Sequence, residues 1–509
     1  MADEALPYSA AGSRSPWLIA MAVSIATFME VLDTTIANVA LRHIAGSLGA
    51  SQDQSTYILT SYLVSNAIIV PISGWLTTMI GRKRFYMICV SIFTISSVLC
   101  ATSTSLSQIV FWRVLQGVGG GGLAPVEQSI FADSFPIRMR PQAFALYGFT
   151  IVLAPAIGPV LGGWLTDALS WHWVFLINLP VGVLSLVLVS WLVTDSPALK
   201  RDRAAMLRRG VNVDYIGFAL VVLGFGALQI MLDRYEPAGG FDSPLVLTCG
   251  IVALVALSIL VVWEIYHPQP VMNVRLFRHR AFAACCILML CVGFTLITAT
   301  QLLPQLAQTL MGYDATTAGL TLGLAGGITI VLMPVAGAVT GRLIQPRVLV
   351  FVAFLGTAYA MWYASSLNLQ VTFWQLSFSR VLQAIWLPFL FIPLSSAGLV
   401  GIPPARNGDA AALMNLMRNL GGSIGVSYIT TLLSWRSQFH TARLSEHLTP
   451  YNGYGFGTNL AMLSHRVFMQ AQMMTYLDLF RVLGLAALLV APVALILPRL
   501  PKGMAAAGH

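Results

Sequence analysis

The sequence predicts an all-α integral membrane protein with fourteen transmembrane helices: two six-helix bundles and two helices inserted between them. Three observations predict it. The 509 residues are 57% hydrophobic and only 9% charged, against roughly 25% charged in a soluble domain. Fourteen apolar windows, each near the ~20 residues that a helix needs to cross a ~30 Å hydrocarbon core, are bounded by charges or turn residues. The tetrapeptide Arg-Val-Leu-Gln occurs at Arg113 to Gln116 and again at Arg380 to Gln383, 267 residues later, the mark of a duplicated half. An arginine costs about 2.5–3.5 kcal/mol at the centre of a membrane helix, so a repeated one implies a polar interior.

The spans run, in order, over 17–41, 54–79, 85–103, 107–132, 142–165 and 174–194; over 213–232 and 244–265; and over 281–303, 315–338, 348–366, 374–400, 410–433 and 476–497. The repeat reaches beyond the arginines: Pro71 to Arg82 is echoed by Pro334 to Arg342, and Pro136 to Leu146 by Pro403 to Leu413. Spans one to six therefore match nine to fourteen, and seven and eight are the insert. The expected domains are a tail 1–16, a bundle 17–194, a basic linker 195–212 with Lys200, Arg201, Arg203, Arg208 and Arg209, the insert 213–266, a bundle 281–497 and a tail 498–509. Segment 434–475, with Gly453, Gly455 and Gly457, is expected to be a long extracytoplasmic loop, part of it possible helix.

The formal charge of +9 is distributed as topology. With the N-terminus inside, 19 Lys and Arg fall on the cytoplasmic side and 6 outside, which is the positive-inside rule and places both termini in the cytoplasm. Nucleic-acid binding is excluded on that ground. Asp3 and Glu4, followed by a first apolar run long enough to span, argue against a cleavable leader. All six cysteines fall in predicted spans, so neither disulfides nor a metal site is expected. Gly119 to Gly122 lacks a following Lys-Ser or Lys-Thr and lies in the membrane, so it reads as close helix packing rather than a phosphate loop. No enzyme activity and no cofactor are expected.

Glu30 and Asp33 sit three residues apart on span one, bordered by Thr27 and Thr34. Two carboxylates so close in a low dielectric cannot both ionise cheaply, so a shared proton is expected. The alternative for Asp33 is a permanent ion pair. Arg113 in span four offers planar donors able to pin one carboxylate, and Gln116 and Gly117 share its face. Glu127, fourteen residues on, lies about 320° around and roughly 21 Å along the helix; it either extends the polar face or is a solvated interfacial glutamate. Arg380, with no acidic partner in spans nine to twelve, is expected to be structural.

Several stretches together resemble the fourteen-helix drug:proton antiporter family of the major facilitator superfamily, across essentially the whole chain. They are Ala26 to Leu41, Arg113 to Gly117, Ala154-Pro-Ala-Ile-Gly158-Pro-Val-Leu-Gly162-Gly163, Trp171 to Gly182, Leu228 to Arg234 and Gly421 to Gly425. The resemblance implies the major facilitator fold and export by antiport, driven by the proton gradient. It implies a proton-transfer role for Arg113 and Asp33, and an antiporter motif at Pro155, Gly158, Pro159, Gly162 and Gly163 that seals a bent helix by close packing. It also implies a gating loop at Gly74, Gly81 and Arg82, where this chain departs by carrying Thr78 and Met79 in place of an acid and an arginine. The gate is then left to Arg82 and helix dipoles. Glu30 is less widely shared.

The expected function is proton-driven export of hydrophobic or amphipathic toxic compounds across a bacterial inner membrane, with cavity candidates Asn38, Gln116, Gln301, Gln305, Gln383 and Trp386. A proton entering down 100 mV contributes about 2.3 kcal/mol, enough for more than a tenfold gradient. The resemblance further implies a periplasmic membrane-fusion adaptor and an outer-membrane channel as partners. Rival readings are a stand-alone exporter of a specific metabolite or fatty acid, a nutrient symporter, and a non-transporting membrane scaffold or receptor.

Overall fold

A computed structural model describes residues 15–137, 139–195, 199–201, 203–204, 214–313, 315–340, 343–403, 406–448 and 460–497. Helices α1 (Pro16–Ser47), α2 (Gln52–Ile80), α3 (Arg82–Ala101), α4 (Leu106–Gly120) with α5 (Leu123–Ser134), α6 (Arg140–Ala168), and α7 (His172–Leu176) with α8 (Asn178–Leu192) make the first six crossings. The insert is α9 (Tyr215–Arg234) and α10 (Pro244–Tyr266). The last six crossings are α11 (Arg280–Leu310), α12 (Ala315–Val339), α13 (Pro346–Ala364), α14 (Phe373–Ala397), α15 (Asn407–Glu446) and α16 (Leu460–Val490). Ser51 with Gln54 and Thr372 with Gln375 close capping boxes that start α2 and α14.

Among the described residues, eleven helices are long and apolar enough to cross a membrane, and α6, bent by 41° at Pro155 to Ile157, makes a twelfth. The other two crossings are the polar ones. Span four is divided at Gly121–Gly122 into pieces of 15 and 12 residues, and α15 carries Asn407, Asp409, Asn415, Arg418 and Asn419. Polarity is tolerated there because Arg113, Gln116, Asn407 and Asn415 are buried against protein rather than lipid.

Close packing follows glycine. A Cβ on Gly158 or Gly162 of α6 would lie 2.6 Å from Thr35 or 3.0 Å from Ile36 of α1. In the second half, a Cβ on Gly293 of α11 would lie 1.9 Å from the Arg418 carbonyl oxygen, and one on Gly421 of α15 equally close to that of Leu290. Spans one with five and nine with thirteen are thus matching close pairs, as a duplicated bundle requires. The insert lies at the edge: α9 packs on α2 and α15, Thr60 donates to Asp233, and Ser423 Oγ donates to Gln229 Oε1 at 3.0 Å. Helix α10 turns most of its apolar surface outward.

The predicted loop 434–475 is corrected. Its flanks continue α15 to Glu446 and begin α16 at Leu460, while Tyr451, Gly453, Gly455 and Gly457 lie outside the described residues. Asp478 joins α16 to α15, accepting from His440 at 2.9 Å and pairing with Arg436 at 3.6 Å, and also accepts from Arg481 of its own helix at 3.2 Å. Gln472 Nε2 donates to Ser437 Oγ at 2.8 Å. A polar stretch is not thereby a loop: Gln438, His440 and Glu446 are all compatible with a helix leaving the lipid. Most of the basic linker 195–212 also lies outside the described residues.

Candidate functional site

Three carboxylates meet the first bundle along α1 and α5. Asp33 is completely buried. Its Oδ2 receives Arg113 NH1 at 2.6 Å, and its Oδ1 receives Gln116 Nε2 at 2.9 Å and Asn178 Nδ2 at 2.7 Å. Arg113, also fully buried, donates further to Gln116 Oε1 at 2.8 Å and through Nε to the Ile58 carbonyl at 3.1 Å. Its guanidinium lies 4.6 Å from the Tyr62 ring centroid. Ser97 accepts from Asn178 at 2.8 Å and from Gln116 at 3.3 Å. The site therefore draws on spans one, two, three, four and six, and its charge is matched by one cation.

Glu30 does not share a proton with Asp33 by direct contact, contrary to the expectation. Its Oε1 accepts from Tyr62 Oη and Asn66 Nδ2, each at 3.2 Å, and no hydrogen bond joins the two carboxylates among the described residues. Three residues on a helix leave a 60° offset, and Tyr62 occupies it. One ring thus links them, its hydroxyl on Glu30 and its face under Arg113. Glu127 is not interfacial either: it is completely buried, with Ser24 Oγ donating to Oε1 at 2.5 Å and no partner at Oε2. Thr27, buried between the two glutamates on α1, also has a hydroxyl without a partner.

The bundles meet beyond Glu127. Asn415 Nδ2 donates to Gln128 Oε1 at 3.0 Å, Tyr147 Oη to Asn415 Oδ1 at 3.3 Å, and Arg418 NH1 to Tyr147 Oη at 3.2 Å. Tyr147 stacks on Phe391 at 5.4 Å. Further along, Arg82 pairs with Asp133, which also accepts from Asn407 at 3.3 Å. A Cβ on Gly74 would lie 2.7 Å from the Asp409 Cα, and one on Gly408 would lie 2.6 Å from Thr77 Oγ1. The molecule is closed at this end. Gly81, at φ 97°, makes the turn into α3, and Lys83 N and Nζ reach Asp195 at 2.9 Å and Ser190 at 2.6 Å. Thr78 bonds only its own helix, at Gly74 O. Arg82 thus has an acidic partner on span four, Asp133, and is not left to helix dipoles.

The other candidates divide. Gly158 and Gly162 pack as expected, while Gly163 faces open space. Asn38, Gln301 and Gln305 are exposed. Gln116 and Gln383, expected in a cavity, are buried instead: Gln116 bridges Arg113 to Asp33, and Gln383 accepts from Arg380. Trp386 lies against Gly356 of α13. Asn178, Ser97, Tyr62, Asn66, Ser24, Asn415 and Arg418 were not singled out as site residues. Asn178 sat within a resemblance stretch, whereas Ser24 carried no signal, since it lies about 180° around the helix from Asp33.

Residues 23–426 match the Major Facilitator Superfamily. The chain is 38% identical over 436 residues to the multidrug export protein EmrB of Haemophilus influenzae, covering 86% of this chain and 84% of that one. It is 36% identical over 442 residues to the fatty acid resistance protein FarB of Neisseria gonorrhoeae, covering 87% and 85%. In structure it resembles the proton:xylose symporter XylE with a TM-score of 0.60 at 16% identity, covering 94% of each chain, a likeness of fold. With its fourteen crossings, duplicated bundles and buried Asp33–Arg113 pair, the chain belongs to the major facilitator superfamily of membrane transporters, among relatives of the EmrB type.

Proposed function

We propose that this protein is a proton-driven exporter of hydrophobic and amphipathic compounds, working by alternating access of its two bundles. One observation carries the reading: a carboxylate and a guanidinium, both fully buried, are held between the helices of one bundle by neutral donors. Such a pair is costly to bury in a membrane, and charges kept there mark a functional site. Protonating Asp33 releases Arg113 from its charge partner and loosens spans one, two, four and six together. Glu30 and Glu127 extend the proton's path from Asp33 toward the closed end, with Tyr62, Thr27 and Ser24 between them. The antiporter motif seals α6 on α1 and keeps that path from leaking.

The end carrying Arg82 is cytoplasmic on the positive-inside count, so the structure is closed to the cytoplasm, and the membrane is a bacterial inner membrane. The helical extension of α15 and α16 then projects outside. It is the docking surface for a periplasmic membrane-fusion adaptor, which passes substrate to an outer-membrane channel. The relatives named for multidrug export support the broad substrate class; the one named for fatty acid resistance supports a narrower one.

The test is uphill efflux from inside-out vesicles across a panel of compounds. Export that collapses with a protonophore and with Asp33→Asn is expected; export that survives both refutes proton coupling. Replacing 441–467 by a short Gly-Ser link should keep transport in proteoliposomes yet abolish resistance in cells. Resistance that persists at normal expression makes this a stand-alone pump.

A further inference from the structure

The second bundle contains a copy of the Asp33 site with the carboxylate missing. Thr300 stands 267 residues after Asp33, the same offset that relates Arg113 to Arg380 and Gln116 to Gln383. The three meet as their counterparts do: Arg380 NH2 donates to Thr300 Oγ1 at 2.8 Å and NH1 to Gln383 Oε1 at 3.1 Å. Duplication has kept the cation and its amide and replaced the anion by a hydroxyl.

The consequence is a set of donors without acceptors. Gln116 Nε2 gives its proton to Asp33, whereas Gln383 Nε2, on a side chain 1% exposed, has no partner. Arg113 Nε is bonded to the Ile58 carbonyl, with only its NH2 unpaired, whereas Arg380 Nε is buried and unpaired beside the unpaired Gln383 amide. Helices α11 to α14 contain no Asp or Glu, and no carboxylate among the described residues pairs with Arg380. A purely structural arginine would have its donors filled by the fold. Thr300 and Arg380 keep partial exposure next to exposed Gln301, so the place can be reached.

We propose that Arg380, Gln383 and Thr300 form a subsite for the carboxylate headgroup of an anionic amphiphile, the substrate supplying the negative charge that Asp33 supplies in the first bundle. This rests on the transport reading and names one substrate class for it. A planar guanidinium with an adjacent amide donor suits a two-oxygen anion. The apolar tail then lies along the α11 and α14 faces.

The experiment uses the full-length protein in nanodiscs with two probes sharing one tail, dodecanoate and dodecyltrimethylammonium, and reads the ratio of their affinities. Thr300→Asp fills the vacancy from within and recreates a trio that the first bundle already tolerates. It should lower the dodecanoate ratio about tenfold or more, the scale of a lost charge-assisted contact, while the charge-free Thr300→Asn lowers it much less. Arg380→Gln should reproduce the loss by removing the cation. An unchanged ratio in Thr300→Asp and Arg380→Gln overturns the subsite, as does a wild-type protein that binds no dodecanoate. Chloride and acetate each competing as well as dodecanoate would assign the place to any small free anion and overturn it too. Efflux of the cationic probe from vesicles separates the two claims: no uphill efflux by the wild type defeats the transport reading, whereas efflux with an unselective Thr300→Asp defeats only the subsite.

Discussion

Asp33 and Glu127 are both carboxylates with no exposure inside the first bundle, yet the fold treats them differently. Asp33 has a cation and two amide donors, drawn from spans four and six. Glu127 has one serine hydroxyl, no cation, and a second oxygen that makes no hydrogen bond among the described residues. A buried charge without a partner is costly, so the difference separates a group whose charge is part of the architecture from one able to hold a proton without breaking an ion pair. Glu30, with a phenol and an amide and partial exposure, lies between them in space and in kind.

The comparison breaks most sharply at Arg113. Arg113→Ala strands the Asp33 charge and should cost about 3–5 kcal/mol of stability, the cost of half a buried pair, seen as a lowered melting temperature in nanodiscs. Asp33→Asn combined with Arg113→Gln should recover most of that stability and none of the uphill efflux. Efflux in the double variant would make the pair purely structural. Arg113→Lys should restore folding better than transport, since a point charge cannot reach Asp33, Gln116 and the Ile58 carbonyl together.

The gate comes next in size. Gly74→Val places a branched side chain where even a Cβ lies 2.7 Å from the Asp409 backbone. It should hold the Arg82 end open and reduce transport by about tenfold or more, on the scale of 1–3 kcal/mol for overpacking. Accessibility of a cysteine placed at Thr77 to a membrane-impermeant thiol reagent reads the opening directly; a cysteine as protected as in the Gly74 background would show that α2 and α15 separate elsewhere.

Glu127→Gln should leave the unfolding free energy within about 1 kcal/mol of the parent's, because the amide keeps a donor and an acceptor without the uncompensated charge. The pH profile of efflux should flatten. A profile identical to the parent's removes Glu127 from the proton path, and a large loss of stability would show that its charge is compensated after all. Glu30→Gln should give the smallest change, a displaced pH optimum with Tyr62 still under Arg113; an unchanged optimum leaves Tyr62 as a packing residue.

Much of this was written along the chain. Span lengths, the doubled Arg-Val-Leu-Gln, the charge asymmetry and the α6 glycines are local or periodic features, and bilayer thickness and backbone satisfaction translate them into helices with little freedom. Asp33 and Arg113 were legible because ionised side chains in lipid-length windows must find each other. The segment 434–475 was misread because composition reports polarity, and a helix leaving the membrane is as polar as a loop.

Only the tertiary structure decided the partners. Asn178, Ser97 and Tyr62 are ordinary residues on spans six, three and two, and nothing in their neighbours in sequence says that they converge on Asp33. The separation of Glu30 from Asp33, the burial of Glu127 and the acid that pairs with Arg82 depend on which helix faces which. The repeat offset named Thr300 as the counterpart of Asp33, but that its arginine and glutamine keep unfilled donors is a matter of three-dimensional contact. A sequence fixes which groups the membrane must hide; packing alone determines what each of them meets when hidden.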